Sequence, residues 1–153
     1  MPDRAAATSF VPLDPSGKDA ALELIRAYYA EDGHEFDAAV ALRALDLILA
    51  GGSAGHFWFI SAGGAVAGYV CLCEGFSLET GGGDFYLDEL YVIPEFRNRG
   101  MGRAAIMFAE AEARRLGARR ICLEVQDGNG RAGNLYEALG YRHHARGLMS
   151  RNL

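Results

Sequence analysis

Hydrophobic residues change their spacing twice along this chain, and that change restricts the folds open to it. Between residues 17 and 51 they recur at helical intervals, with Leu22, Ile25 and Tyr29 on one stripe and Ala38, Leu42, Leu45 and Leu49 on another. From 56 to 93 they form aromatic and β-branched runs, HFWFISA, AVAGYVCLC and FYLDELYVI, interrupted at Gly63-Gly64 and ETGGGD and closed by Pro94. After Gly102 the helical spacing returns, with Ala105, Phe108, Ala109, Ala113 and Leu116 on a stripe that Gly117 terminates.

Boundary residues sharpen this reading. Ser16 to Asp19 fits a capping box for a helix over about 17–30, and Asp37 caps a second helix that Gly51-Gly52 ends. RRICLEVQ reads as a buried strand, GRAGNLYEALG as a short helix ending at Gly140, and YRHHARGLM as a last strand. The sum is two helices, an antiparallel meander, then β-α-β-α-β, which describes a mixed α/β sheet and not a barrel or bundle. At 153 residues the chain is expected to form a single domain over 1–153.

Composition removes several function classes. No apolar run approaches the roughly 20 residues of a membrane helix, and MPDRAAATSFVPLDP lacks the pattern of an export signal, so a cytoplasmic location is expected, with no membrane partner. The net charge of −5 disfavours a broad nucleic-acid surface. Cys71, Cys73 and Cys122 lie in apolar β-like runs without a recognised metal spacing, and are expected to be buried free thiols with no metal.

Against that acidic background, Arg97, Arg99 and Arg103 gather around Gly100 and Gly102 where a strand gives way to a helix. A helix start offers unpaired N–H groups and the positive end of its dipole, and glycine lets the main chain approach an anion closely. The cluster has the makings of a pyrophosphate cradle; the plainer alternative is a glycine turn with solvated arginines. The spacing is neither that of a nucleoside-triphosphate loop nor that of a dinucleotide fold.

The stretch Arg97-Asn98-Arg99-Gly100-Met101-Gly102 resembles the [QR]-x-x-G-x-[GA] motif of the Gcn5-related N-acetyltransferases. The preceding LYVIPEFR resembles that family too, as does Asn129 followed by Ala132, Tyr136 and Gly140-Tyr141. The likeness covers about 56–145 and implies a mostly antiparallel mixed sheet with two splayed parallel strands, ELYVI and CLEV, and helices on both faces. It further implies acetyl-CoA as co-substrate, with the main chain of Leu90, Tyr91 and Val92 meeting pantetheine. The loop residues Arg97, Asn98, Arg99, Gly100, Met101, Gly102 and Arg103 would hold pyrophosphate, and Asn129 would touch the cofactor as well. Relatives often carry glycine at the Arg99 position.

Acetyl transfer from a thioester to an amine needs a neutral amine and a proton for the departing thiolate. An alkylamine with a pKa of about 10.4 is mostly protonated at neutral pH, so a carboxylate is the natural base. Tyr136 falls where related enzymes set a tyrosine beside the coenzyme A sulfur, and is expected to be the general acid. Asp88 and Glu89 point to opposite faces of a regular strand, so only one meets the amine unless a bulge intervenes. Glu89 is placed first as base, with Asp88 as amine anchor, and YLDELYV resembles the strand of the polyamine and thialysine acetyltransferase branch. Tyr28, Tyr29, Glu31 and His34 are candidates for the acceptor pocket.

The expected activity is N-acetylation of a primary amine on a small cationic metabolite, a polyamine or amino-acid derivative, by direct attack in a ternary complex. Acetylation of a protein N-terminus or lysine is one alternative, and a non-catalytic acyl-CoA sensor is another. The last strand, as an open edge, suggests a homodimer.

Overall fold

The structure, a computed structural model, describes residues 7–52, 54–126 and 128–153, so the first six residues of the stretch read for an export signal lie outside it. The chain divides into two compact units, the first ending at Leu123 and the second spanning Glu124–Leu153. Among the described residues no helix is long and apolar enough to cross a membrane.

The first unit is a six-stranded sheet with helices on both faces. Strand β1 (Thr8–Pro12) leads through a short 3-10 helix (Pro15–Gly17) into helices α1 (Lys18–Asp32) and α2 (Ala38–Ala50). Strands β2 (Gly55–Ala62), β3 (Ala65–Cys73), β4 (Phe76–Ser77) and β5 (Gly82–Val92) follow, then a 3-10 turn (Pro94–Phe96), helix α3 (Met101–Arg115) and strand β6 (Ala118–Cys122). The order across the sheet is β1-β2-β3-β5-β4, and β6 pairs with β5 in parallel.

Two apolar layers hold this arrangement. Ala21, Leu24, Ile25 and Leu45 of the first two helices pack against Phe57, Phe59, Tyr69 and Tyr91 on one face of the sheet. Met101 and Ala105 of α3 pack against Ile60, Ala62 and Ala67 on the other, and Phe10 of β1 stacks on Phe108 at 4.1 Å between centroids. The period-3.6 stripes of the sequence are the buried faces of these helices. Asp37 caps α2 as expected, its Oδ1 accepting from the amides of Ala39 and Val40.

Several expectations need correction. The capping box at Ser16 does not form: Asp14 Oδ1 instead accepts from the Gly17 amide and the Ser16 hydroxyl, capping the 3-10 turn ahead of α1. Strand β1 has no counterpart in the sequence reading, because a five-residue edge strand ending in proline carries little alternation. The strand read over RRICLEVQ stops at Cys122.

The second unit contains helix α4 (Gly130–Ala138), with Asn129 Oδ1 accepting from the Ala132 amide at its start. No strand forms over 141–149, where the sequence suggested a last strand. With it goes the sheet edge on which a dimer was expected.

Candidate active site

Along its edge with β3, strand β5 departs from regular pairing at one residue. Cys71 of β3 opposes Glu89 and Leu72 opposes Leu87, so Asp88 is the extra residue of a β-bulge. A bulge resets the alternation of side chains, and Asp88 and Glu89 consequently share one face of the sheet instead of pointing apart. This is the face covered by α1: Tyr29 of that helix donates its hydroxyl to Glu89 Oε1 at 2.7 Å. Tyr69 of β3 donates to Glu89 Oε2 at 2.6 Å.

The carboxylate of Glu89 is therefore fixed at both oxygens. Burial lifts it above the ordinary carboxyl range, and Asp88 adds to the lift, while the two phenols and His34 pull it down. Burial and then the Glu89 charge push both Tyr29 and Tyr69 far up, so each keeps its proton and remains a donor. Asp88 is exposed overall, yet partial desolvation raises its carboxyl too, with the Cys73 thiol opposing. Such a group takes a proton more readily than a free carboxylate and holds still while doing so.

The pocket candidates fall into place unevenly. Tyr28 packs its ring against Tyr29, Tyr69 and Tyr91, with centroids 5.6 to 6.3 Å apart. Tyr29 touches Glu89 directly, whereas the carboxylate of Glu31 is taken by Arg97 at 2.7 Å. His34 pairs with Asp32 at 2.6 Å and sets its ring edge-on to Tyr29. Tyr69 is the functional side chain that sequence reasoning missed; only the strand register, with Tyr69 opposite Tyr91 and two residues from the partner of Glu89, identifies it.

Just ahead of the bulge, β5 loses its parallel neighbour. Pairing with β6 ends at Tyr86 and Cys122, so Leu87 to Val92, which include Leu90, Tyr91 and Val92, have β3 along one edge and, among the described residues, no paired strand along the other. The main chain then passes through the 3-10 turn to Arg97, whose Nε donates to the Val92 carbonyl at 2.9 Å while Nη2 holds Glu31. Arg97 thus braces the loop against α1, and its guanidinium is not a free anion ligand.

The loop itself meets the chemistry of an anion site. Asn98 takes a left-handed conformation (φ 62°) and Gly100 another (φ 79°), turning the chain into α3. The first intrahelical bond runs from the Ala104 amide to the Gly100 carbonyl, so the amides of Met101, Gly102 and Arg103 lie ahead of the ladder. A Cβ added at Gly100 would meet no atom within 4 Å, which leaves that side of the turn open to a ligand. Met101 contributes only main chain there, because its side chain is buried under the sheet. Arg99 is exposed beside Phe96, its guanidinium carbon 5.6 Å from the ring centroid.

In the second unit, Tyr136 is half-buried, edge-on to Tyr141, and burial raises its phenol. The side-chain oxygen of Asn129 is used on its own helix, as described above.

A mixed sheet whose one parallel pair ends at Tyr86 and Cys122, with a glycine turn into a helix after β5 and a carboxylate at the bulge, defines a class of acyl-group-transfer folds. The acetyltransferase (GNAT) family model matches residues 19–141, and the chain belongs to that family. Among characterised relatives, thialysine N-epsilon-acetyltransferase of Mus musculus is 36% identical over 80 residues, 52% of this chain and 46% of its own. The Bos taurus protein of the same name is 41% identical over 59 residues, 39% of this chain and 35% of its own. The chain thus spans less than half the length of these relatives.

Among solved structures, an integron cassette protein from the mobile metagenome of Cole Harbour Salt Marsh superposes with a TM-score of 0.82 at 26% identity, covering 94% of this chain and 90% of its own. An aminoglycoside N-acetyltransferase in complex with CoA also gives 0.82, at 16% identity and 99% coverage of both chains, a likeness of fold.

Proposed function

We propose that this protein transfers an acetyl group from acetyl-CoA to the primary amine of a small cationic metabolite, a polyamine or amino-acid derivative. The observation that carries the reading is the bulge in β5, which turns Asp88 and Glu89 to one face and leaves Glu89 gripped by Tyr29 and Tyr69. Two carboxylates together attract a cation, and the names of the mouse and bovine relatives place their chemistry on the ε-amine of a lysine analogue.

The open edge of Leu90, Tyr91 and Val92 and the unladdered amides of Met101, Gly102 and Arg103 suit the amides and pyrophosphate of acetyl-CoA, with Asn129 as a further contact. Bound there, acetyl-CoA supplies an activated acyl thioester. Asp88 anchors the ammonium group of the acceptor, and Glu89 Oε takes the proton that frees its nitrogen lone pair. Tyr136 Oη donates a proton to the departing sulfur, a role its motif position supports, and burial keeps the phenol protonated at neutral pH. No acyl-enzyme is required, since each proton has a named origin and destination.

The test is release of free coenzyme A thiol from acetyl-CoA against polyamines, lysine analogues, aminoglycosides and short peptides. Turnover confined to small diamines or lysine analogues is the expected result. Turnover with peptides alone would replace the acceptor, and acetyl-CoA raising Tm without turnover for any amine would make the protein a sensor.

A further inference from the structure

Cys71 and Cys73 lie two residues apart on β3 and so project to the same face, the face to which the bulge also turns Asp88. Their two Sγ atoms and an Asp88 carboxylate oxygen all lie within 4.8 Å of one another. This proximity makes the three side chains one cluster. Among the described residues no other three His, Cys, Asp or Glu side chains converge in this way. The third free cysteine, Cys122, is turned towards Asp84, with Sγ to Oδ1 at 3.5 Å.

Spacing along the chain gave no metal motif because two ligands come from one strand and the third from its neighbour. Two sulfurs and one carboxylate are a donor set for borderline-soft d10 cations, not for magnesium or calcium, which take oxygen. Tetrahedral coordination with Zn–S of about 2.3 Å and Zn–O of about 2.1 Å sets ligand atoms roughly 3.5–3.8 Å apart. The observed limit of 4.8 Å is wider than this spacing, so binding draws the three atoms together, and Asp88 is exposed, so an ion has a way in.

We propose that Cys71, Cys73 and Asp88 form a site for a thiophilic divalent cation of the zinc class, with three protein ligands and a fourth position open. An ion held there displaces the two thiol protons, so the thiolates balance its charge, and it opposes the binding of an ammonium group by occupying the Asp88 carboxylate. The site itself rests on geometry alone; inhibition rests in addition on the acceptor reading above.

Cadmium is the probe, added to the reduced protein without acetyl-CoA or amine. Calorimetry and the ultraviolet thiolate-to-metal charge-transfer band are expected to report one ion per chain. Asp88→Asn is expected to weaken affinity about tenfold or more and Cys73→Ser to abolish the band, while Cys122→Ser leaves both unchanged. Thermal melting of each variant identifies any that fails to fold, and Asp88→Asn, at an exposed position, carries the test if a cysteine variant does. Absence of the band in the wild-type chain overturns the proposal, as does a band that survives Cys73→Ser or disappears in Cys122→Ser. Zinc is then expected to raise KM for the amine; binding without that rise leaves the site standing and removes Asp88 from amine recognition.

Discussion

Tyr69 donates its hydroxyl to Glu89 Oε2 at 2.6 Å from a ring that is wholly buried, so one oxygen of the candidate base is fixed by the sheet itself. Tyr29 fixes the other oxygen from α1, on a side chain more open to solvent. Hydrogen bonds to a charged group are worth about 1.5–3 kcal/mol each, and loss of one frees the carboxylate to rotate. Tyr69→Phe, which keeps the ring and removes only the donor, is expected to lower kcat about tenfold or more while leaving the Kd of acetyl-CoA unchanged. Tyr29→Phe is expected to do less. Steady-state kinetics beside a direct binding measurement decide this, and an unaltered kcat in Tyr69→Phe would detach Glu89 from the chemistry.

Arg97 couples the anion loop to α1 through Glu31, and the pair is partly exposed, with side chains 34% and 46% accessible. Glu31 and Tyr91 hold the guanidinium charged, its pKa raised chiefly by the Glu31 hydrogen bond. An ion pair this exposed contributes little to global stability, on the order of 0–1 kcal/mol. Its effect belongs to the loop. Glu31→Gln is therefore expected to leave Tm nearly unchanged and to weaken acetyl-CoA binding about threefold, the cost of loosening a brace worth under 1 kcal/mol. Equal affinity in the two proteins would confine Arg97 to a surface role.

Tyr136 is proposed as the proton donor, and burial makes its phenol harder to ionise. The sign is favourable: a raised pKa keeps the proton in place as pH climbs, so loss of the acid sets in only above about pH 10, the ordinary phenol value. Tyr136→Phe is expected to lower kcat about a hundredfold with the Kd of acetyl-CoA within about twofold. Pre-steady-state release of thiol in the two proteins measures it, and full turnover by the phenylalanine variant would return Tyr136 to packing.

Much of this fold is legible in the residues themselves. Asp37, Gly51 and Gly117 mark helix ends correctly because capping is local, and Gly63-Gly64 marks the hairpin because a two-residue turn sets its own register. What the sequence hid depends on pairing between strands. Alternation along FYLDELYVI sends Asp88 and Glu89 to opposite faces, and only the partner strand, with Leu72 opposite Leu87, reveals the extra residue. The same pairing hid Tyr69 from the list of site residues. YRHHARGLM illustrates the opposite error, a stretch that reads as a strand where none forms over 141–149.

Arg120 grips Asp84 at 2.8 and 2.7 Å, fork to fork, where β6 meets β5, and Asp84 is only 8% exposed. The parallel pair has just four partnered positions, with a register shift between Gly83 and Asp84, so this bond secures a large share of it. Asp84→Asn keeps the shape of the side chain and halves the fork. The expected result is a Tm lower by several degrees, with a smaller loss at high salt than exposed pairs show, because burial limits screening. Thermal unfolding at two ionic strengths measures this; an unshifted Tm would mean that backbone pairing alone holds β6.

At Gly68 the main chain of β5 leaves no room for a side chain on β3. A Cβ there would lie 2.0 Å from the Tyr91 carbonyl oxygen and 3.0 Å from the Val92 Cα, and its φ of +156° is one that side chains rarely adopt. No rotamer relieves such a clash, since both partners are main chain. Gly68→Ala must push β5 away at the residues whose far edge is open for a ligand, so stability and cofactor binding are expected to fall together. A loss of about 3 kcal/mol, the upper end for overpacking, should accompany at least a tenfold weaker acetyl-CoA affinity. Gly81→Ala is the control: its φ is +70°, yet an added Cβ meets nothing within 4 Å. Backbone strain alone then costs about 1 kcal/mol, with acetyl-CoA binding intact. Denaturant unfolding and cofactor titration of both variants separate steric displacement of the strand from the general intolerance of a left-handed glycine, and matching losses would mean that the β3–β5 approach does not shape the cofactor edge.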